Sequence, residues 1–258
     1  MTQTLFSSAP HGPLAVPTFG AGPSVLALHG FTHTGAQFRQ LAALLERTVH
    51  APDLPGHGGS AGLPTNLTAV LGALTDLLDD VGPAPVIGYS QGGRLALLLA
   101  LHRPDLFSGV VALSASPGVE DRAARRAGDE DVASRLEEDG LDAFLDSWLR
   151  APVTGTTHLA AVAQQADRAA REENTARGLA AALRGYGQGA QPYIADRLDA
   201  IQPRCLFVAG ERDQRYVELA KMMADRVPDG MVELIRGAGH NVLLDDLAAV
   251  ATVVRPFV

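Results

Sequence analysis

The chain has 258 residues, of which 47% are hydrophobic and 19% are charged, and its formal net charge is −8. This size and composition suit one domain, with or without an inserted subdomain, and argue against extensive disorder. The acidic balance gives no support to a nucleic acid or an anionic membrane as partner, but it leaves room for a local basic pocket that binds an acidic small molecule.

Short apolar runs that predict strands alternate with helical patterns up to residue 115. Strands are predicted at 24–30, 48–56, 84–90 and 109–115. Helices are predicted at 36–46, 66–81 and 91–102. Thr65 or Asn66 is the expected N-cap of the second helix. The alternation predicts a parallel sheet covered by helices.

The strand pattern then stops, and the chain becomes rich in Ala, Arg, Asp and Glu. Several helices are predicted there, including RAARRAGDEDVASRLEEDG and LDAFLDSWL. Four elements follow: a strand at 204–213, a helix at 214–226, a strand at 231–237 and a terminal helix from about 242. The sequence therefore predicts an α/β fold with a core formed by residues 1–117 and 191–258 and an inserted helical cap at 118–190.

The segment GYSQGG, residues 88–93, matches the G-x-S-x-G pattern of a nucleophile elbow and falls at a predicted strand-to-helix junction. The sharp turn needs glycines because the chain passes close to itself. It would expose the hydroxyl of Ser90 above the sheet, next to the free N–H groups of a helix N-terminus that favour a developing oxyanion.

A serine hydroxyl needs a histidine as its base, and the histidine needs an acid that orients it. Asp213 closes one predicted strand, and His240 lies in GAGHN after the next one. Both positions are at the carboxyl ends of strands, where open α/β sheets place their sites. Ser90, Asp213 and His240 are the predicted triad. The alternative is that Asp213 caps a helix and His240 is an ordinary loop residue.

Two backbone N–H groups are predicted to form an oxyanion hole. One belongs to Gln91, and the other to Phe31 in the early loop LHGFTHTG. His29 of this loop is expected to form a hydrogen bond within the loop rather than to act as acid or base. His57 is expected in a turn, with a substrate contact as the alternative.

Targeting signals and disulfides are not predicted. The start, MTQTLFSSAPHG, lacks the basic and long apolar regions of a signal peptide, and the apolar run at 95–101 is too short to span a bilayer. The one cysteine, Cys205, cannot form an internal disulfide and lies in a strand-like run. We therefore expect a cytoplasmic protein without a membrane partner, either a monomer or a homodimer.

Five short motifs and their order in the chain resemble those of a known superfamily. The chain contains HGF, DLPGHGGS, GYSQGG, GERD and GAGH, in that order. With these motifs it resembles the α/β-hydrolase superfamily over its whole length. The resemblance implies that fold, but the fold hosts many chemistries and does not specify the reaction.

Arg94 narrows the range of reactions that such a fold could catalyse here. It lies one turn into the helix after the elbow, and helical side chains lean towards the N-terminus, so its guanidinium could reach the pocket above Ser90. Burying an uncompensated arginine is costly, and an anionic partner is therefore expected. That partner is either an internal carboxylate or a bound one.

Nearly all of the chain resembles the 2-succinyl-6-hydroxy-2,4-cyclohexadiene-1-carboxylate (SHCHC) synthases of menaquinone (vitamin K2) biosynthesis. The similar segments are GYSQGGRLALLLA, SPGVEDRAARRAGDE, FLDSWLRAPV and GERDQRYVELAKMMADRVPDGMVELIRGAGHNVLLDD. The resemblance implies a lyase that eliminates pyruvate from a substrate with three carboxylates, 2-succinyl-5-enolpyruvyl-6-hydroxy-3-cyclohexene-1-carboxylate. It implies no metal and no organic cofactor.

The same resemblance implies which residues bind this polycarboxylate: Tyr89, Arg94, Arg125, Trp148 and Arg171. Arg122 and Arg126 are the one-turn alternatives to Arg125. Each assignment also has a plainer alternative: a solvated helix face for the arginine cluster, the helix surface for Arg171, and simple packing for Trp148 and Tyr89.

Two other functions stay open at this stage. One is a serine carboxylesterase or C–C bond hydrolase that acts on a small acidic substrate. The other is a non-catalytic relative that serves as a binding module, against which the intact Ser–Asp–His order argues.

Overall fold

A computed structural model of the protein describes residues 12–151 and 154–258. The signal-peptide prediction concerns mainly residues 1–11, which lie outside the described residues. Pro152 and Val153, at the end of the segment FLDSWLRAPV, lie outside them as well.

A seven-stranded sheet forms the centre of the fold. Its strands are β1 Thr18–Phe19, β2 Ser24–Leu28, β3 Thr48–His50, β4 Ala84–Tyr89, β5 Phe107–Leu113, β6 Cys205–Gly210 and β7 Gly230–Ile235. Their order in the sheet is β1-β3-β2-β4-β5-β6-β7. Among these seven strands of the described residues, β1 alone runs antiparallel to its neighbour. The predicted α/β class with a mostly parallel sheet is confirmed.

Helices connect the strands on both faces of the sheet and form the insert. They are α1 Arg39–Leu45, α2 Leu67–Val81, α3 Gln91–His102, α4 Arg122–Trp148, α5 Ala161–Arg171, α6 Ala176–Tyr186, α7 Gln214–Arg226, α8 Val242–Asp245 and α9 Leu247–Val254. Asn66, and not Thr65, caps α2, because its side chain accepts a hydrogen bond from the N–H of Ala69 at 3.0 Å.

The predicted elements agree closely with the observed ones, with three differences. Strand β1 was not predicted, because two residues are too few to produce an alternating pattern. The helix predicted at 36–46 begins with a 3₁₀ turn, Gly35–Phe38, before α1. The two cap helices predicted on either side of Gly140 form one element, α4, which is kinked at that glycine (φ 82°).

The sheet separates two apolar layers. Along β2, Leu26 and Leu28 belong to the layer that contains α2, α3 and α7, and Val25 and Ala27 belong to the layer that contains α1 and α9. This alternation is the period-2 pattern of a strand whose two faces are both buried. Strands β2 to β7 run parallel to one another and therefore present their carboxyl ends at one rim of the sheet.

The insert between β5 and β6 has an apolar cluster of its own. Leu136, Phe144 and Leu145 of α4 pack with Leu179 and Leu183 of α6. This packing places the insert as a helical layer, and we keep the limits of 118 and 190 for the cap as a prediction. Among the helices of the described residues, none is both long and apolar enough to cross a membrane.

Candidate active site

Ser90 stands at the turn between β4 and α3. Its backbone has φ 49° and ψ −104°, a left-handed conformation that a residue other than glycine seldom adopts. The N–H of Ser90 donates to the carbonyl of Leu113 on β5 at 2.8 Å, which ties the turn to the neighbouring strand. The strain is held by the surrounding structure, as is usual for residues at functional sites.

The glycines of the elbow are required by close backbone contacts. A Cβ atom on Gly88 would lie 2.5 Å from the Cα of Gly93, and one on Gly92 would lie 2.0 Å from the carbonyl oxygen of Leu28. Both distances are shorter than a Cβ atom can approach another backbone atom without a shift of the backbone. Helix α3 can therefore pack against β2 and β4 only because these positions lack side chains.

The Gly92→Ala variant is expected to lose about 3 kcal/mol of unfolding free energy, since the backbone of β2 must shift to admit a methyl group. Urea denaturation measures this change. Gly128→Ala is the control, because a Cβ on Gly128 in α4 meets no atom within 4 Å. That variant is expected to gain roughly 0.5 to 1 kcal/mol. Equal stability of the two variants would contradict the packing argument.

The side chains of Ser90, His240 and Asp213 form one hydrogen-bonded chain. The Nδ1 of His240 lies 2.7 Å from the Oδ2 of Asp213, and its Nε2 lies 3.2 Å from the Oγ of Ser90. Asp213 stands at the N-terminus of α7, but its side chain makes no capping hydrogen bond there. The carboxylate thus faces the histidine, which disfavours the alternative reading of Asp213 as a helix cap.

This geometry selects one tautomer of His240. An ionised Asp213 only accepts hydrogen bonds, so Nδ1 carries the proton and Nε2 is left to accept the proton of the serine hydroxyl. The ring of Tyr216 packs edge-on against the imidazole, with the ring centroids 4.4 Å apart, and holds its orientation. The arrangement can activate a serine hydroxyl.

The two predicted oxyanion donors lie beside Ser90 around the same cavity. Gln91 is the first residue of α3, and Phe31 follows β2 in the loop that also contains Gly30. In the part of the chain that the structure describes, neither N–H donates to another backbone group in a turn or loop. The role of both N–H groups in binding an oxyanion stays a prediction.

The two histidines of the early loops are buried. His29 bonds the carbonyl of Gly30 through Nδ1 (2.9 Å), and its Nε2 accepts from the N–H of Leu54 (2.9 Å). Burial lowers its pKa to about 3, so the ring is neutral. This matches the expected loop role. His57 is also fully buried, and it lines neither cavity next to Ser90, so no substrate contact is indicated.

A cavity of about 550 Å³ opens above Ser90. Besides the triad, it is lined by Phe31, Gln91 and Trp148, and by three arginines: Arg94, Arg125 and Arg215. Trp148 lies between Phe144, with which it stacks, and Phe31, which meets it edge-on at 5.5 Å between centroids. The cavity thus combines an aromatic wall with several cationic groups and suits an anionic organic molecule.

Arg94 is 9% exposed and points into this cavity. Its Nε donates to the Oε1 of Gln191 at 3.1 Å, and Gln191 is itself oriented by a hydrogen bond to the carbonyl of Tyr186. Burial lowers the pKa of Arg94 to about 10, so it stays charged at neutral pH. Within the described residues no carboxylate forms an ion pair with it. An internal carboxylate paired with Arg94 is therefore not found among these residues, and a bound carboxylate stays a prediction.

Of the three clustered cap arginines, only Arg125 lines the cavity. Its Nε donates to the Oδ1 of Asp129 at 2.8 Å, and Asp129 also accepts from the N–H of Gly189. Arg122 instead donates to the carbonyl of Ala190, and Arg126 is exposed. The geometry favours Arg125 over its one-turn neighbours, and its role in binding stays a prediction.

Arg171 is 2% exposed and so does not lie on the helix surface, which was the plainer alternative for it. Its Nε donates to Asp167 at 2.8 Å, and its Nη1 donates to the hydroxyl of Thr32. With Tyr89 it lines a second, small cavity of about 40 Å³ that adjoins Ser90 and His240. The structure therefore does not bring Arg171 together with Arg94 and Arg125, although both cavities meet at the serine.

Three polar side chains were not predicted from the sequence: Asp129 and Arg215, which line the main cavity, and Gln191, which binds Arg94. Asp129 could have been found, because it lies four residues after Arg125 on one helix. Arg215 follows Asp213 by two residues, which places it near the site, but nothing marks it among the many surface arginines. Gln191 has no signal in the sequence.

The structure reveals no metal site in residues 12–151 and 154–258: no group of three or more histidine, cysteine or acidic side chains there could hold an ion. The prediction that the reaction needs no cofactor is a separate matter and stays a prediction.

Comparisons with known proteins place the chain in a family. It matches the Alpha/beta hydrolase family over residues 25–253. It is 32% identical over 241 residues to a 2-succinyl-6-hydroxy-2,4-cyclohexadiene-1-carboxylate synthase of Salmonella paratyphi C. This alignment covers 88% of this chain and 90% of the relative.

Solved structures agree with this match. MenH from S. aureus superposes with a TM-score of 0.88 at 29% identity, over 94% of this chain and 97% of the other. A thermophilic esterase from Thermogutta terrifontis has a TM-score of 0.82 at 22% identity, over 96% and 98%, and shows a shared fold. Both resemblances inferred from the sequence are confirmed by these matches. The chain therefore belongs to the alpha/beta hydrolase family of enzymes.

Proposed function

We propose that this enzyme is a carbon–oxygen lyase of menaquinone biosynthesis, a SHCHC synthase. It would eliminate pyruvate from 2-succinyl-5-enolpyruvyl-6-hydroxy-3-cyclohexene-1-carboxylate and so form 2-succinyl-6-hydroxy-2,4-cyclohexadiene-1-carboxylate. The relatives that carry this synthase name support the proposal. The observation on which it depends most is the buried Arg94 beside Ser90.

Arg94 carries the proposal because its surroundings leave part of its charge unmatched. Its one hydrogen-bond partner among the described side chains is the neutral amide of Gln191. A guanidinium has five N–H donors, and those that face the cavity are left for a ligand. A bound carboxylate would compensate for the desolvation of the cation and accept two parallel hydrogen bonds.

The triad would then supply the base. His240, oriented by Asp213, takes the hydroxyl proton of Ser90, and the serine oxygen abstracts a proton from the substrate carbon next to its carbonyl group. The resulting enolate oxygen accepts hydrogen bonds from the N–H groups of Phe31 and Gln91. When the enolate collapses, its C=O bond re-forms, a C=C bond forms at the deprotonated ring carbon, the existing ring double bond shifts by one position, and the C–O bond to the enolpyruvyl group breaks. The leaving group departs as the enolate of pyruvate, takes up the proton held by His240 and becomes pyruvate.

The cationic groups around Ser90 fit a substrate with three carboxylates. Arg94, Arg125 and Arg215 line the main cavity, and Arg171 lines the small one. We assign carboxylate contacts to Arg94 and Arg125, with Trp148 and Tyr89 as apolar walls. Arg171 stays a candidate for the third contact, although its guanidinium already binds Asp167 and Thr32.

A second function is favoured by one observation. The hydrogen-bonded triad next to an open cavity is also the machinery of a carboxylesterase or a C–C bond hydrolase. In that case the serine oxygen attacks a carbonyl carbon instead of removing a proton.

The two functions are separated by measuring pyruvate release from the enolpyruvyl substrate and, in parallel, hydrolysis of p-nitrophenyl acetate. A lyase is expected to release pyruvate rapidly and to cleave the ester slowly. Rapid ester cleavage without pyruvate release would reject the lyase in favour of the hydrolase.

The Arg125→Ala variant is expected to raise the KM for the tricarboxylate about five- to tenfold. Arg125 is half exposed, so its hydrogen bonds to a carboxylate are worth only about 1 to 1.5 kcal/mol. Steady-state kinetics of pyruvate release measure the change. Arg126→Ala removes an equal charge from the same helix outside the cavity and is expected to leave KM within twofold of the wild-type value. An equal effect of both variants would reduce the role of Arg125 to long-range charge.

A further inference from the structure

Thr32 has an unusual backbone for its residue type. Its φ is 70°, in the left-handed region, and it is fully buried. A β-branched side chain disfavours this conformation strongly, so other contacts must hold it. Thr32 directly follows Phe31, whose N–H is a proposed oxyanion donor. Because Thr32 is joined to Phe31, a change in the conformation of Thr32 would displace the backbone of Phe31 and with it that N–H.

The contacts that hold Thr32 come from the cap. The Nδ2 of Asn174 donates to the carbonyl oxygen of Thr32 at 2.8 Å. Nη1 of Arg171 donates to its hydroxyl. Both residues lie where α5 ends and the chain turns towards α6, far from Thr32 in sequence but adjacent to it in space.

Asn174 joins three parts of the molecule. Besides Thr32, it bonds the carbonyl of Arg171 through Nδ2 at 3.0 Å, and its Oδ1 accepts from the N–H of Gly58 at 3.1 Å. It is 5% exposed, so these bonds form away from solvent. It lines neither of the two cavities that adjoin Ser90, and hence a direct contact with substrate is not indicated.

We propose that Asn174 is a positioning residue for the oxyanion hole. Its amide fixes the carbonyl of Thr32, keeps the loop in its left-handed turn and so aims the N–H of Phe31 at the oxygen that becomes negative during the reaction. The proposal rests on the role of Phe31 in the proposed function. Under this proposal the cap positions an oxyanion donor, a role that is distinct from binding carboxylates.

The reason for a kinetic effect is geometric. Without the amide of Asn174, Thr32 can relax towards a negative φ, the two peptides that flank it rotate, and the backbone of Phe31 is displaced with them. An oxyanion donor acts only when it is aimed at the developing charge, and loss of one such donor costs about 10²- to 10³-fold in kcat. Partial misalignment should cost less, because Arg171 still holds the hydroxyl of Thr32.

Asn174→Ala and Asn174→Asp test the proposal. The aspartate keeps the acceptor for Gly58 and loses the Nδ2 donor to the carbonyls of Thr32 and Arg171. Both variants are expected to lower kcat about 10- to 100-fold and to leave KM within about threefold. The control is Glu173→Ala, which removes another bond from the cap to the same loop, 3.3 Å from the hydroxyl of Thr34, but acts further from Phe31. It is expected to keep kcat within twofold.

Pyruvate release and p-nitrophenyl acetate hydrolysis should both be measured, at a temperature where circular dichroism shows each variant folded. A wild-type enzyme that cleaves the ester without releasing pyruvate would refute the lyase, and the ester kinetics of the variants would still judge Asn174. A folded Asn174→Asp enzyme with unchanged kcat would overturn the positioning role. So would a rise in KM alone, or an equal loss of kcat in Glu173→Ala.

Discussion

Replacing Ser90 by alanine is expected to lower kcat for pyruvate release by a factor on the order of 10³ or more, as in other triads that lose their nucleophile. The loss is large because the variant has no serine oxygen to take the substrate proton, while the cavity and its arginines remain. KM should therefore change little. His240→Ala is expected to show a loss of the same order.

The double variant makes this prediction sharper. Ser90 and His240 act as one hydrogen-bonded unit, so removing both should cost no more than removing either. Ser108→Ala, at an exposed position of β5, is the control and should keep the wild-type rate. A Ser90→Ala enzyme that retains most of its activity would show that the proposed triad does not carry the reaction.

Arg94→Ala is expected to lower kcat/KM for the tricarboxylate roughly 10²- to 10⁴-fold. Hydrogen bonds to a charged group are each worth about 1.5 to 3 kcal/mol, and a buried guanidinium offers a carboxylate two of them. Arg94→Lys should be nearly as poor, because an ammonium has neither the fork nor an Nε to bind Gln191. Stopped assays of pyruvate release measure both variants.

Ester hydrolysis gives the internal control for Arg94, since p-nitrophenyl acetate has no carboxylate to bind and should react at a similar rate in all three enzymes. Arg103→Ala removes an arginine that follows the same helix but pairs with Asp79 and Asp105 at the surface, and it should leave kcat/KM unchanged. Unchanged kcat and KM in Arg94→Ala would exclude a carboxylate at this position.

The sheet and the elbow could be predicted because local sequence determines them. Strands buried on both faces produce continuous apolar runs, and the elbow needs glycine wherever backbones approach closely. Asp213 and His240 followed from one further rule, that parallel strands place their carboxyl ends together. Each of these inferences uses residues that are near in sequence or on adjacent strands.

Contacts between the cap and the core could not be predicted in the same way. The burial of Arg171 depends on Asp167 and on Thr32, which is 139 residues away. Gln191 meets Arg94 across 97 residues. Such pairs have no periodicity and no fixed spacing, so composition makes an arginine in a charged helix look solvated. The docking of one layer on another decides its surroundings.

The position of the insert has a consequence for how such an enzyme changes over time. Strands β5 and β6 are neighbours, so the two ends of the cap join the sheet at points that lie close together. The entropy cost of closing a chain segment grows only with the logarithm of its length, by about 0.6 kcal/mol per doubling. Insertions, deletions and rearrangements within the cap therefore change the stability of the sheet little. Evolution can exchange Arg125 and Trp148 for other groups, and with them the molecule that is selected, while the serine, the acid and the histidine keep their places.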